Sequence, residues 1–554
     1  MATMRDRRIL VLVTLVAVAA LAVMGVWAVV IGSPGGGGGD AQPFAPRYVE
    51  EAETAGVAHA YTGDFEFFVG GGVAAFDCNS DGLLDLYLAG GSGPASLFVN
   101  RSSAGGELSF ERRAAAQTDL SSVTGAYPLD IDSDGIADLV VLRRGANQLL
   151  RGLGDCTFEP ANDRWSFDGG NDWSTAFSAR WEIGNEWPTI AIGNYLSSTD
   201  LNALACADNQ LFAPDAAGAA FAPPVALSPG WCTLSMLFTD WDRSGRRDLR
   251  VSNDRHYYSE TGDGAEQLWR MESGTAPRQY TEADGWRRLR LWGMGIASHD
   301  VTGDGYPDYF LTSQADNKLQ VLAEGPALPR YEDVALRRGA IATRPYTGDT
   351  SLPSTAWHDQ FEDVNSDGLI DLFIAKGNVE AMPDYATHDP NNLMLGQPDG
   401  TFREAAVEAG IVDFARARGA ALVDLNLDGM LDLVVVNRIE NVRLYRNLGT
   451  GTADQPGRLG TWLQVRPQQQ GANRDAVGAW IEVRAGDRTQ LRELTVGGGH
   501  VSGSLGPVHF GLGTTARAEV RVTWPDGEIG PWHTVSADQR VLVERGAPAP
   551  VPLP

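Results

Sequence analysis

The sequence predicts an all-β chain: a seven-bladed β-propeller, then a small β-sandwich domain, preceded by one N-terminal transmembrane helix. Three observations predict it. A nine-residue acidic loop recurs six times, and each copy runs straight into an aliphatic strand. After the last copy the loops stop, and from Gly457 period-two strands separated by Gly and Asp turns take over. Near the start, three arginines precede a long apolar run.

That run extends from Ile9 to Ile31, interrupted by Thr14 and Gly25, behind Arg5, Arg7 and Arg8. It is longer than the ~7 to 15 apolar residues of a signal-peptide core and lacks a clear small-residue cleavage site, so it reads as an uncleaved anchor, with a signal peptide as the alternative. The positive-inside bias keeps residues 1–8 cytoplasmic and exports the rest, periplasmic or extracellular, or secreted if the segment is cleaved. Residues 32–46, rich in Gly and Pro, form a linker. With 71 acidic against 44 basic residues in 554, the formal charge of −27 argues against nucleic acid as a partner. Four cysteines exclude a disulfide scaffold but allow one or two bridges in an oxidising compartment.

Residues 47–452 carry the repeats. In the loop Asp363-Val364-Asn365-Ser366-Asp367-Gly368-Leu369-Ile370-Asp371, oxygen-bearing side chains alternate and Gly368 supplies the sharp bend. Asp363, Asn365, Asp367 and Asp371 would offer side-chain oxygens and Leu369 its carbonyl, a donor set for a hard divalent cation. The same spacing places Asp77, Asn79, Asp81, Leu83 and Asp85; Asp130, Asp132, Asp134, Ile136 and Asp138; Asp240, Asp242, Ser244, Arg246 and Asp248; Asp300, Thr302, Asp304, Tyr306 and Asp308; and Asp424, Asn426, Asp428, Met430 and Asp432. An EF-hand would need a Glu at the twelfth place and flanking helices, and neither is present. Up to six Ca²⁺ are expected, with affinities on the order of 10⁻⁴ to 10⁻³ M, suited to an exported chain. Six bound ions would bring the formal charge to about −15.

The step from Asp130 to Asp240 is twice the usual interval, so a seventh repeat lies between them. Trp181–Thr189 occupies its loop place without carboxylates and is expected to bind no metal. Each repeat has a small-residue strand before the loop, such as Gly71–Phe76 or Gly293–Ala297, suited to crowding around an axis. The last repeat lacks a fourth strand, whereas Tyr48–Val57 copies Phe402–Ile411. Residues 48–52 are therefore expected to close the ring and cover its edges.

Residues 457–546 contain Asn473–Ala479, Gly497-Gly498-Gly499-His500, Val508–Gly513 and Trp524–Gly527, and 547–554 form a Pro-rich tail. With these motifs in place, the repeats resemble FG-GAP (VCBS) repeats of integrin α-type propellers. The segment after them resembles the ASPIC/UnbV domain, a combination found in the cartilage acidic protein family and its bacterial relatives. The resemblance implies calcium at the six loops and an exported, adhesive or matrix-associated role; it supplies no catalytic residues. The chain departs from the pattern at the third repeat, at Ser244 and Thr302, and in lacking an Arg-Gly-Asp tripeptide.

His256, His299, His358 and His388 have polar surroundings, but they are too dispersed for a transition-metal site; His299 and His358 are expected to orient loop groups. Nine tryptophans fall between Trp165 and Trp292, a region with an apparent insertion from Ser197 to Gly230. Core packing is the ordinary place for such side chains, and a recognition loop is the sharper alternative. The preferred cysteine pairs are Cys206 with Cys232 and Cys78 with Cys156. The leading function is an exported, membrane-tethered module binding a protein or carbohydrate. The alternative is an ectoenzyme, hydrolase or oxidoreductase, with a site in the propeller funnel.

Overall fold

The computed structural model describes residues 44–197, 204–254, 264–341, 352–379 and 384–553. The predicted transmembrane segment 9–31 and His256 lie outside them, and among the described residues no helix is long and apolar enough to cross a membrane. The chain is all-β, with α-helix among the described residues limited to one turn, Ala406–Ala409.

Each repeat folds as a curled, propeller-like antiparallel sheet in sequence order. In the first, Val73–Phe76, Asp85–Leu88, Ser96–Asn100 and Phe110–Arg113 pair successively. The loop joins the first two strands, and its ends close on a pair: Phe76 with Asp85, Leu129 with Asp138, Thr239 with Asp248, His299 with Asp308, Glu362 with Asp371, Val423 with Asp432. Arg180 pairs with Thr189 in the same way, so the third repeat has the hairpin without the acids. The last repeat takes its outer strand from the start of the chain, with Tyr48–Glu50 pairing antiparallel to Tyr445–Asn447. Glu51 then accepts two hydrogen bonds from Arg446, at 2.9 and 2.7 Å, in a buried ion pair.

The apparent insertion is not one. Asn209–Phe212, paired onto Thr189–Asn194, and Val225–Leu227, paired in turn onto Asn209–Phe212, are the two outer strands of the third sheet. Val225 and Ala226 are exposed, so the outermost strand has no apolar face to reveal it, while Leu211, Phe212 and Leu227 pack inward. Seven of the nine tryptophans between Trp165 and Trp292 are buried, as core packing requires. The disulfides are Cys78–Cys156 and Cys206–Cys232.

The C-terminal domain has two four-stranded sheets. One is ordered Val508–Gly513, Thr461–Gln468, Gln539–Glu544, Val551–Pro552, so the Pro-rich tail adds an edge strand; the other is Arg488–Glu493, Trp480–Ala485, Arg517–Thr523, His533–Ser536. They share one core, in which Leu463 and Phe510 meet Ile481 and Val520. Between Glu493 and Val508 the chain leaves this sandwich for the propeller. Val496–Gly497 bridges the inner strands of the third and fourth repeats, and Gly503–Leu505 runs parallel to Ala74–Phe76 of the first. This inserted segment explains the small inner strands. A Cβ on Gly72 would lie 1.8 Å from the Val501 carbonyl oxygen, one on Gly125 2.2 Å from it, and one on Gly419 2.4 Å from Ser502 Oγ.

Candidate metal centres

The six loops repeat one hydrogen-bonded frame. The first Asp accepts the N–H of the sixth-place glycine through Oδ2: Gly82 to Asp77 at 2.9 Å, Gly135 to Asp130 at 2.9 Å, Gly245 to Asp240 at 3.0 Å, Gly305 to Asp300 at 2.9 Å, Gly368 to Asp363 at 2.8 Å, Gly429 to Asp424 at 3.0 Å. The fifth side chain accepts the N–H of the seventh residue, from Leu83 to Asp81 at 2.9 Å through to Met430 to Asp428 at 2.8 Å. These bonds hold the first and fifth side chains inward.

The glycines have φ between 82° and 90°, and a second left-handed residue sits two places earlier: Ser80, Ser133, Arg243, Gly303, Ser366 and Leu427. Sequence reasoning found the first bend and missed the second. The Ser or Gly at four of those places was its signal.

Closing carboxylates accept two main-chain N–H groups in most loops: Asp85 from Cys78 and Asn100, Asp138 from Ile131 and Gly152, Asp371 from Val364 and Gly396, Asp432 from Leu425 and Asn447. Burial pushes Asp85, Asp130 and Asp308 up to about 7, with neighbouring carboxylates adding to the effect, and pushes Asp138, Asp363, Asp371 and Asp432 well above the usual range. Such a donor set is costly when ionised without a cation.

Unpartnered buried oxygens mark where one fits. In the last loop these are Asp424 Oδ1, Asn426 Oδ1 and Asp428 Oδ2, the first, third and fifth donors; in the Asp130 loop they are Asp130 Oδ1 and Asp132 Oδ1. Asp130, Asp132 and Asp138 each bring an oxygen within 4.8 Å of the others. Arg151 bonds the outer oxygens of Asp132, at 2.7 Å, and of Asp134, leaving that inner cluster open.

The Asp240 loop differs. Arg246, expected to contribute a carbonyl, lays its side chain across the loop, with Nε 3.0 Å from Asp248 and a terminal nitrogen 3.2 Å from Asp242.

Several loops lie against the C-terminal domain. Gln464 donates to Asp424 at 2.9 Å, Arg488 to the Asp367 carbonyl at 3.1 Å, the Asn473 N–H to Ser133 Oγ at 3.1 Å, and the Asp240 N–H to Glu493 at 2.9 Å. Nothing in the linear sequence relates these partners.

Around the inserted segment is a cavity of about 250 Å³, lined by His299, His358, Asp359, Arg492, Glu493 and His509 among others. Burial holds His358 near 4 and His509 near 3, so both imidazoles are neutral. His358 accepts the His500 N–H at 3.1 Å and His299 packs beside Phe361, so neither orients a loop as expected. His388 lies at the surface, 2.9 Å from the Phe414 carbonyl. None of these six cavity side chains belongs to a group of three His, Cys, Asp or Glu residues close enough to share a metal ion among the described residues.

The FG-GAP-like repeat model matches residues 77–141 and 363–435, and the ASPIC and UnbV model matches 469–550. This chain carries FG-GAP-like repeats and an ASPIC/UnbV domain. The FG-GAP matches each begin on the first Asp of one loop, Asp77 or Asp363, and end in the strand after the next loop, Asp138–Arg143 or Asp432–Arg438. The ASPIC/UnbV match includes the segment inserted into the propeller. Cartilage acidic protein 1 of Xenopus tropicalis is 26% identical over 227 residues, 38% of this chain and 32% of that protein, so the match spans about a third of the relative's length. Among solved structures, a lectin of Agrocybe aegerita that recognises non-reducing terminal N-acetylglucosamine is similar at TM-score 0.40 and 18% identity, covering 69% of this chain and 92% of that one. The Dos1 propeller is similar at TM-score 0.33 and 10% identity, covering 75% and 96%.

Proposed function

We propose that this chain is a calcium-stabilised, seven-bladed propeller, exported and tethered through residues 9–31, that presents a binding surface for a protein or carbohydrate. The observation that carries the calcium part is the recurrence of one loop frame with inward, buried, unpartnered oxygens, most completely at Asp424, Asn426 and Asp428. Hard oxygen donors on a left-handed turn suit Ca²⁺, and a dication would restore the ionised state that burial opposes. The blade count is supported by the Arg180–Thr189 hairpin, which supplies the repeat missing from the acidic spacing. The binding role rests on the resemblance to integrin α-type repeats; the tether rests on the apolar run and its arginines.

The test is calcium uptake and melting of residues 44–554. Chelator should lower Tm relative to millimolar Ca²⁺, since a site at one to ten times its Kd contributes about 0.4 to 1.4 kcal/mol and several such sites act together. Identical melting curves, with no uptake in calorimetric titration, would overturn the metal reading. Screening the same fragment on glycan arrays and in cross-linking pull-downs tests the binding role.

A further inference from the structure

We propose that the guanidinium of Arg246 is the resident cation of the Asp240–Asp248 loop, so that this loop takes no Ca²⁺ while its five counterparts do. The inference rests on the calcium reading and refines it.

Asp248 has no capacity left for a metal. Its Oδ1 accepts from Arg246 Nε at 3.0 Å and the Met271 N–H at 2.9 Å; its Oδ2 accepts from Trp241 Nε1 at 2.9 Å and the Tyr280 hydroxyl at 2.8 Å. Four donors fill the lone-pair positions of a carboxylate. Asp138, Asp371 and Asp432, by contrast, accept two main-chain donors each. The second guanidinium edge of Arg246 reaches Asp242 at 3.2 Å and Tyr280 at 3.2 Å, so one planar cation spans the third and closing acids.

The sequence agrees. The seventh place is Leu83, Ile136, Tyr306, Leu369 or Met430 in the other loops, none of which can supply a charge, and the fifth place here is Ser244, which removes one carboxylate. Asp240 Oδ1 stays unpartnered, but a single oxygen does not make a dication site. Arg151 at the Asp130 loop is a different case, because it bonds outer oxygens and leaves Asp138 to its main-chain donors.

The experiment counts bound calcium per chain by equilibrium dialysis and elemental analysis, and measures Tm in chelator and in millimolar Ca²⁺. It uses the exported chain and the variants Asp248→Asn, Asp371→Asn and Arg246→Gln. Asp371→Asn should lose one ion and Asp248→Asn none. Arg246→Gln should lower Tm by the same few degrees in both media. Loss of one ion in Asp248→Asn, or an Arg246→Gln deficit that Ca²⁺ erases, would overturn the proposal. If the unsubstituted chain takes up no Ca²⁺, the calcium reading of the other loops fails. The Arg246→Gln deficit in chelator then decides alone: a lowered Tm supports the resident guanidinium, and an unchanged one overturns it.

Discussion

Gly245 and Gly429 hold the same place in their loops and nearly the same left-handed backbone, φ 84° and 82°, but their surroundings differ. A Cβ on Gly245 would meet nothing within 4 Å, whereas one on Gly429 would lie 1.8 Å from the Trp462 ring of the C-terminal domain. Gly245→Ala should therefore cost about 1 to 2 kcal/mol, the strain of φ alone. Gly429→Ala should cost clearly more, because the ring or the loop must move; denaturant unfolding of the two variants measures the difference, and equal losses would contradict the packing. A second residue-scale expectation concerns acid. Burial holds His358 near 4 and His500 near 3, with Arg418 further disfavouring a charge on His500. Unfolded, both take a proton near 6.5, so between that pH and about 4 the unfolded chain binds more protons. Stability from these groups is full above pH 6.5 and lost as pH falls through that window. Relative to His500→Gln, the natural chain should lose on the order of 2 to 4 kcal/mol between pH 7 and pH 4. Parallel stability curves would show that His500 does not titrate this way.

At the scale of elements, the closing strand is held by more than its ladder. Arg446 and Glu51 have side-chain exposures of 1% and 8%, so Glu51→Ala would leave a guanidinium buried without its partner. The expected loss is about 3 to 5 kcal/mol, read as a lowered denaturation midpoint. Truncation before residue 53 should go further and free the edge Arg443–Asn447, with self-association visible by light scattering. The strands flanking the acidic loops were legible because each couples an alternating or aliphatic run to a fixed turn. The outer strands of the third repeat were not, since Val225–Leu227 is short and mostly exposed and its neighbour follows no acidic loop. Deleting residues 204–229 removes a buried sheet half with Leu211, Phe212 and Leu227. Loss of the cooperative melting transition is expected, and an intact transition would restore the recognition-loop reading.

Across the whole molecule, propeller and sandwich are not separable modules. The segment from Val496 to Leu505 occupies space left by Gly72, Gly125 and Gly419, and the sandwich covers several acidic loops. A chain ended at residue 456 should therefore melt at lower temperature and bind a hydrophobic dye, because its inner strands are shaped for an occupant. Melting at the full-length temperature, without dye binding, would show that the inner strands support themselves.

What the sequence determined by itself was carried by repetition: six acidic loops, the strand that follows each, the acid-free hairpin between them, and the return of residues 48–50 to the last sheet. These signals copy one another, so matching one repeat to the next is enough to read them; which cysteines pair is no such signal, and the fold decided it. What only the tertiary structure decided was non-local. The contact of Gly499 with His358, of Trp462 with Gly429 and of Glu493 with Asp240 joins residues far apart in the chain, and no periodicity encodes such pairs. Even Arg246, two places from the acid it bonds, was read for its carbonyl, because spacing specifies where a backbone turns and not where a long side chain comes to rest.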